Sequence, residues 1–354
     1  MVPPATGAAA AGGSTSTGAP LGFDVVALVA AAEAATVGLG EAAQVLAVAL
    51  STGRHVVLEG PPGTGKSTLL RAVADAAGLG IELVEGHAEL TPARLVGSHD
   101  PAGVLNAGYS RETFVPGPLV RAVRDGGVLY VEELNRVPDE TLNVLITALA
   151  EGEVHVPRAG HFVAAPTFRL VAAMNPFDAV GTARVAQALY DRMCRIVVDY
   201  LDDVGEQQVV AGDAGGDAAL AAASVRVVRA TREHPDLGHG SSVRGAKDVA
   251  ALVRGLAAAR GESIPTRATV TAAVHAALSG RIRVDDGVQR TPESVLDEIV
   301  TAQWPAPDTG EDDATPDAPD APDAPDAPES TDGDHADADD GSPPGSREGG
   351  PGKA

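Results

Sequence analysis

The stretch Gly60-Pro61-Pro62-Gly63-Thr64-Gly65-Lys66-Ser67 decides the fold, because it matches G-x-x-x-x-G-K-[ST] at every fixed position. The apolar run His55–Glu59 before it predicts a buried parallel strand, and Lys66–Ala77 after it predicts a helix. In that order, main-chain N–H groups and the helix N-terminus form a nest for phosphate. The alternative, a glycine-rich turn that matches by chance, does not explain the strand and helix on either side.

Each residue type in this stretch suits a polyphosphate ligand. Glycines let the main chain wrap the β-phosphate without Cβ clashes. Lys66 supplies a positive charge to the β- and γ-phosphates, and the hydroxyl of Ser67 would join the shell of a Mg²⁺ ion. The predicted nucleotide-binding residues here are Gly60, Pro61, Pro62, Gly63, Thr64, Gly65, Lys66, Ser67 and Thr68.

A second predicted strand, Val128–Glu132, ends in two carboxylates and predicts the other half of the site. We expect Glu132 to hold Mg²⁺ and Glu133 to polarise the attacking water. Aspartate is the usual residue at the first of these positions, and Glu132 is one methylene longer. The alternative is a strand that runs into a solvated acidic turn.

The order of elements predicts an α/β domain followed by a smaller all-α lid domain. Strands alternate with helices as far as about Leu201, which indicates a parallel sheet covered by helices on both faces. Beyond that residue only helices are expected. The predicted organisation is a disordered arm at 1–20, the nucleotide-binding domain at 21–201, the helical lid at 202–304 and a disordered acidic tail at 305–354.

Composition and charge exclude several classes of partner. The formal net charge is -23, and the tail repeats Asp-Ala-Pro from Asp317 to Ala327. An acidic chain is a poor ligand for nucleic acid or anionic membranes. We expect the tail to act as a solubilising spacer, with an acidic docking segment as the alternative. Cys194 is the single cysteine, which fits a reducing cytoplasm, and no run of eighteen apolar residues predicts a membrane span.

These motifs together resemble the MoxR-like ATPases of the AAA+ superfamily, over roughly residues 24–300. Glu59–Ser67 is similar to the phosphate loop of that family, and Gly117-Pro118-Leu119 is similar to its GPL element. Glu132-Glu133-Leu134-Asn135-Arg136 resembles its D-E-I-N-R element, with Glu132 in place of Asp and Leu134 in place of Ile. The resemblance implies an AAA+ core that uses ATP and Mg²⁺.

The resemblance also implies three catalytic residues outside these motifs. Asn175, in Ala173-Met174-Asn175-Pro176, would orient the attacking water, although an Asn-Pro turn is the plainer reading. Arg192, in Leu189-Tyr190-Asp191-Arg192, would be an arginine finger for the γ-phosphate of a neighbouring subunit. The alternatives are a surface ion pair with Asp191, or Arg195 as the finger. Arg244, where Val243 replaces the usual proline, would contact phosphate from the lid.

Further implications of the resemblance concern adenine, the ring and its partners. Val37 and Gly38 are similar to the segment that lies against adenine. An insertion near Val96–Pro116 and a hairpin near Glu153–Ala164 would project toward a ring axis. We expect a homo-oligomer, most simply a hexameric ring, acting on a client protein together with a von Willebrand factor A-domain partner.

The sequence therefore predicts Mg-dependent ATP hydrolysis coupled to remodelling or maturation of a partner protein. A second hypothesis is an ATP-dependent switch or binding module with negligible turnover, which Glu132 in place of Asp keeps open. A third is a nucleic-acid motor or a restriction-type GTPase, which the acidic balance disfavours. His234 and His239 lie in a Pro/Gly-containing stretch without metal-ligand spacing, and no role is expected of them.

Overall fold

The strands are short and mostly apolar, and the expected parallel sheet is confirmed. The computed structural model describes residues 22–176 and 187–304. In chain order the strands are β1 (His55–Glu59), β2 (Ile81–Glu85), β3 (Gly97–His99), β4 (Phe114–Pro116), β5 (Val128–Glu132), β6 (Glu153–Val156), β7 (Gly160–Val163), β8 (Arg169–Met174), β9 (Met193–Val197), β10 (Leu237–His239) and β11 (Arg283–Val284).

Helices separate most of these strands and make up most of the chain beyond residue 202. They are α1 (Val25–Ala35), α2 (Gly40–Ser51), α3 (Lys66–Ala76), α4 (Pro92–Val96), α5 (Pro101–Ala107), α6 (Pro118–Asp125), α7 (Asp139–Glu151), α8 (Gln187–Tyr190), α9 (Asp203–Val210), α10 (Ala218–Glu233), α11 (Val243–Arg260), α12 (Arg267–Leu278) and α13 (Pro292–Gln303). A 3-10 turn at Leu134–Arg136 follows β5.

The main sheet has the strand order β2-β5-β8-β1-β9, and every pairing in it is parallel. Because the strands are parallel, the carboxyl ends of β1, β5 and β8 meet at one edge of the sheet. The loop after β1, the acidic end of β5 and the segment after β8 are therefore neighbours, although the sequence separates them widely.

The two faces of the sheet are covered by different helices. Along β5, Leu129 and Val131 pack into the core beneath α4, α6 and α7, whereas Val128 and Tyr130 pack into the core beneath α1, α2 and α3. This alternation is the period-two pattern of a strand buried on both sides. The cores consist mainly of Leu, Val and Ala, as the low aromatic content predicts.

The helices α9–α13 enclose a separate hydrophobic core. The helical character of this region is confirmed, with one addition that the sequence did not predict. A short antiparallel ribbon joins β10 to β11, pairing Leu237 with Val284 and His239 with Arg283. All described residues belong to one compact unit, so the domain boundary near residue 201 stays a prediction.

Two small ribbons are attached to the sheet region. β3 pairs with β4, and β6 pairs with β7, both antiparallel. They correspond to the insertion and the hairpin that the resemblance implied. The two contact each other through Phe114 and Phe162, whose rings are 5.6 Å apart.

Candidate active site

The phosphate-loop sequence joins β1 to α3 in the backbone shape that its glycines permit. Gly63 and Gly65 have φ values of 81° and 87°, the left-handed region that glycine adopts most readily. Gly60 is required for space, since a Cβ there would lie 1.8 Å from the carbonyl oxygen of Val198. The loop is therefore packed closely against the chain that follows β9.

Lys66, the first residue of α3, directs its ammonium back into this loop. Its Nζ donates hydrogen bonds to the carbonyl oxygens of Gly60 at 2.9 Å and Pro61 at 2.7 Å. Burial lowers the pKa of Lys66, the carboxylate of Glu133 opposes that shift, and Arg244 adds to it. An anionic ligand would give the ammonium the strong partner that these neutral carbonyls do not supply.

The acidic end of β5 lies directly against the start of α3. The hydroxyl of Ser67 donates to Glu132 Oε1 at 2.5 Å, and it lies 3.0 Å from the hydroxyl oxygen of Tyr130. Burial raises the pKa of Tyr130, so the phenol stays protonated as a donor. Hydroxyl and carboxylate oxygens are the ligands that Mg²⁺ prefers, so Ser67 and Glu132 fit the metal role predicted for them.

Glu133 has a backbone that non-glycine residues rarely adopt, with φ 51° and ψ 46°. Its Oε2 is shielded from solvent and accepts no hydrogen bond within residues 22–176 and 187–304, while Arg136 Nε lies 3.4 Å away. A carboxylate held in this way keeps a lone pair available for a proton. That arrangement suits the water-activating role that the sequence predicts.

Asn175 follows β8 and lies in the same cleft. Its main-chain carbonyl accepts a hydrogen bond from Asn135 Nδ2 at 3.2 Å, which ties the segment after β8 to the turn after β5. The placement agrees with a water-orienting side chain, and that role stays a prediction.

These residues line one cleft of about 550 Å³. The sheet region contributes Pro62–Thr68, Tyr130, Glu132, Glu133, Arg136 and Ala173–Asn175, and the helical region contributes Gly238, His239, Arg244 and Arg283. The structure thus brings together the predicted Lys66, Ser67, Glu132, Glu133, Asn175 and Arg244. Gly60 and Pro61 lie at the entrance to the loop rather than in the cleft lining.

Arg192 lies outside this cleft. Its side chain is exposed, and its Nη1 donates to the carbonyl of Ala188 in the preceding turn. The competing candidate, Arg195, is already paired with the buried Glu59, with Nε 2.6 Å from Glu59 Oε2. Of the two arginines, Arg192 is the one left for a partner in another molecule.

Val37 and Gly38 also lie outside the lining of the cleft. They form the turn between α1 and α2, where a Cβ on Gly38 would lie 2.8 Å from Leu201 Cδ2. A neighbouring groove of about 600 Å³ includes Gly38 and the segment Arg195–Asp202. The next residue, Leu39, lies close to Gly65 of the loop. The adenine-binding role of Val37 and Gly38 stays a prediction.

Several residues that line the cleft were given no role from the sequence, among them Tyr130, Arg136, His239 and Arg283. Tyr130 is two residues before Glu132 and so faces the same side of β5, a signal that strand alternation contains. Arg136 was quoted as part of a motif without a role. His239 and Arg283 reach the cleft only because β10 pairs with β11, and no local pattern predicts that pairing.

Within residues 22–176 and 187–304, no helix is both long and apolar enough to span a bilayer. The same residues contain no group of three or more His, Cys, Asp or Glu side chains placed to hold a metal ion.

Comparison with known proteins gives one family match and many relatives. Residues 55–193 match the family described as "AAA domain (dynein-related subfamily)". The denitrification regulatory protein NirQ of Stutzerimonas stutzeri is 32% identical over 211 residues, which cover 58% of this chain and 74% of NirQ. The gas vesicle ATPase GvpN1 of Halobacterium salinarum is 30% identical over 209 residues, 54% of this chain and 60% of GvpN1.

Among solved structures, the RuvB Holliday junction branch migration motor of Thermotoga maritima is similar at 17% identity. The match covers 68% of this chain and 70% of RuvB, with a TM-score of 0.44.

Proposed function

Because this chain belongs to the MoxR-type AAA+ ATPases, the class of enzyme that hydrolyses ATP, we propose that it couples Mg-dependent ATP hydrolysis to the remodelling or maturation of a partner protein. The observation that carries this proposal is the single cleft in which Lys66, Ser67, Glu132 and Glu133 meet.

Each residue of the cleft has a defined task in the proposal. The loop N–H groups and the ammonium of Lys66 bind the phosphates of ATP. Bound magnesium supplies positive charge against the phosphate oxygens, and Ser67 and Glu132 are the residues that would hold it. Glu133 accepts the proton of the attacking water on its carboxylate, and Asn175 orients that water.

Arg192 and Arg244 complete the site from opposite directions. Arg244, on the first turn of α11, already lies beside Gly63 of the loop and contacts the phosphate bound there. Arg192 is exposed and points to no group in the cleft of its own chain, which supports a role in a neighbouring subunit. A closed ring, most simply a hexamer, gives every cleft one such arginine.

The client and the setting belong to the same proposal. The relatives are named for different processes, denitrification and gas vesicles, so the ATPase core is the shared part and the client differs. We propose a cytoplasmic protein that acts on its client with a von Willebrand factor A-domain partner, and that does not act on nucleic acid. The single free Cys194 and the net charge of -23 agree with that setting.

The first experiment measures steady-state phosphate release with ATP and Mg²⁺. Lys66→Ala should reduce turnover by about 100-fold or more, because it removes the cation on the transferred phosphate. Lys247→Ala is the matched control, since Lys247 pairs with Asp213 away from the cleft. GTP in place of ATP, or added duplex DNA, should not increase the rate. A wild type without turnover would instead support an ATP-dependent switch.

The second experiment tests the ring and the client. Light scattering of Glu133→Gln with saturating ATP should give a closed oligomer, and monomers under those conditions would contradict the ring. The same variant, held with ATP and used as bait, should retain a client that Lys66→Ala does not retain.

A further inference from the structure

A buried carboxylate immediately before the phosphate loop connects that loop to the segment that carries Arg192. Glu59, the last residue of β1, is only 3% exposed. Its Oε1 accepts a hydrogen bond from the Tyr190 hydroxyl at 2.7 Å, and its Oε2 accepts one from Arg195 Nε at 2.6 Å. The two donors lie on either side of Arg192, since Tyr190 is the last residue of α8 and Arg195 belongs to β9.

The chemistry of this cluster makes its geometry specific. A carboxylate that loses water pays a large desolvation cost unless charged or strong donors replace the water. Arg195 supplies the charge. Burial raises the pKa of Tyr190 and Glu59 adds to the shift, so the phenol remains a donor over the working pH range. Each carboxylate oxygen thus has one strong donor in the described structure, and the loss of either donor leaves a buried lone pair unmatched.

The main chain around Glu59 is fixed as firmly as its side chain. The carbonyl of Glu59 accepts from Val198 N at 2.7 Å, and Gly60 N donates to the carbonyl of Met174 at 3.1 Å. The hydroxyl of Tyr190 also lies 3.6 Å from the sulfur of Met174, the residue before Asn175. The side chain of Tyr190 therefore contacts the ends of both β1 and β8.

Within the described residues, the side chain of Arg192 has no comparable anchor. It is two residues after Tyr190, and its guanidinium donates a hydrogen bond only to the carbonyl of Ala188, in its own turn. The position of its guanidinium depends on how the short segment Gln187–Arg192 is held. Leu189 anchors this segment in the hydrophobic core, and the Tyr190–Glu59 hydrogen bond ties it to the end of β1.

We infer that Tyr190 is a positioning residue: through Glu59 it aligns Arg192 with the phosphate-loop edge of its own subunit, so that Arg192 is presented correctly to the nucleotide of the next one. This inference rests on the proposed ring function. In this inference, the buried Glu59 cluster links the nucleotide site of one subunit to the arginine that acts at the site of the next subunit.

The test uses Tyr190→Phe, which keeps the ring and removes only the hydroxyl. Turnover should fall by roughly tenfold, because small misplacements of a catalytic group cost one to two orders of magnitude. The KM for ATP and the calorimetric affinity for ATP should stay within about twofold, because the variant's own loop is intact. Tyr109→Phe, at an exposed tyrosine of the insertion, is the matched control and should retain the wild-type rate.

A mixing experiment separates positioning from a general structural defect. Lys66→Ala subunits cannot hydrolyse ATP but carry an intact Tyr190 and Arg192. In mixed rings with excess Lys66→Ala, the rate per Tyr190→Phe subunit should rise toward the wild-type value. Arg192→Ala mixed with Lys66→Ala should be rescued in the same way, and adding Tyr190→Phe to Arg192→Ala should lower the rate little further.

The outcomes distinguish this inference from the proposed function. If Arg192→Ala is not rescued, the shared-site ring is wrong and the inference falls with it. If Arg192→Ala is rescued but Tyr190→Phe is not, or if Tyr190→Phe turns over at the wild-type rate, the ring stands and the inference is overturned. A Tyr190→Phe protein with lowered ATP affinity would also overturn it, because the hydroxyl would then serve its own loop.

Discussion

The two walls of the nucleotide cleft are built in different ways. On the sheet wall, Lys66, Ser67 and Glu132 are hydrogen bonded to groups of the same wall. On the helical wall, the exposed side chains of His239, Arg244 and Arg283 make no hydrogen bond or ion pair with another described residue. The polar groups of the sheet wall are held by hydrogen bonds within that wall, whereas the helical wall presents charged side chains without such bonds among the described residues.

This difference indicates how the work is divided. Preorganised groups on the sheet wall lose little freedom when the ligand binds, so they suit the chemical step. The net charge of -23 means that the chain has many carboxylates. The guanidinium groups of Arg244 and Arg283 nevertheless face the cleft without a carboxylate partner among the described residues. They suit recognition of an anion bound in the cleft.

The largest effect should follow from a change on the sheet wall. Glu133→Gln should reduce turnover by about 100-fold or more, because the amide cannot accept the proton of water. ATP affinity should change little, since Glu133 does not hold the phosphates. Single-turnover kinetics and calorimetry measure the two quantities, with exposed Glu151→Gln as the control. Equal losses of affinity and rate would show that the sheet wall does not separate binding from chemistry.

The next effect concerns the stability of the sheet region. His55, at the start of β1, has its pKa lowered to about 4 by burial, with Arg169 and Arg54 adding to the shift. The unfolded chain, with an ordinary value near 6.5, binds the proton first as the pH falls. The unfolding free energy should therefore fall by about 2 kcal/mol between pH 7 and pH 5.

Urea unfolding at the two pH values measures this change in the free energy of unfolding. The transition is monitored by circular dichroism and by the fluorescence of Trp304, the single tryptophan, which packs on the helical core. His55→Gln should remove this part of the pH dependence, and His239→Gln should leave it. A pH dependence that survives His55→Gln would assign it to other groups.

A smaller effect is expected from the helical wall. Arg244→Ala and Arg283→Ala should each weaken ATP binding by about five- to tenfold, because each removes one charge-assisted contact. The binding of AMP, which carries less phosphate charge, should be weakened less by either substitution. Arg267→Ala, at the start of α12 outside the cleft, is the matched control. If Arg283→Ala binds ATP as the wild type does, the β10–β11 ribbon does not take part in recognition.

The smallest effect should come from shortening one carboxylate. Glu132→Asp withdraws the acceptor from Ser67, which frees the hydroxyl for metal. The Mg²⁺ concentration for half-maximal turnover should fall by about threefold. Binding of Mn²⁺ with ATP, followed by electron paramagnetic resonance, gives a readout independent of turnover. An unchanged or higher metal requirement would show that the Ser67–Glu132 hydrogen bond does not compete with the ion.

The parts of the fold predicted from the sequence were those encoded by contiguous residues. The loop Gly60–Ser67, the strand before it and the acidic end of β5 were predicted because local periodicity and turn chemistry determine them. The membership of Lys66, Glu132 and Asn175 in one cleft then follows from the parallel sheet.

The parts that were not predicted depend on contacts between distant segments. The partners of Glu59 are more than 130 residues away in the chain, and Arg283 reaches the cleft through a two-residue strand. Such pairs depend on tertiary packing, which overrides local preference. The histidine set aside as unremarkable, His239, lines the cleft for the same reason.

The left-handed backbone of Glu133 has a consequence for the evolution and engineering of this protein. A side chain in that conformation costs about 1 kcal/mol relative to glycine, which adopts it freely. A search that selects only for heat tolerance would therefore favour glycine here and would discard the carboxylate. The protein retains a locally unfavourable residue next to its phosphate loop, so under the proposed role of Glu133 resistance to heat and the turnover of ATP are opposing demands at this position.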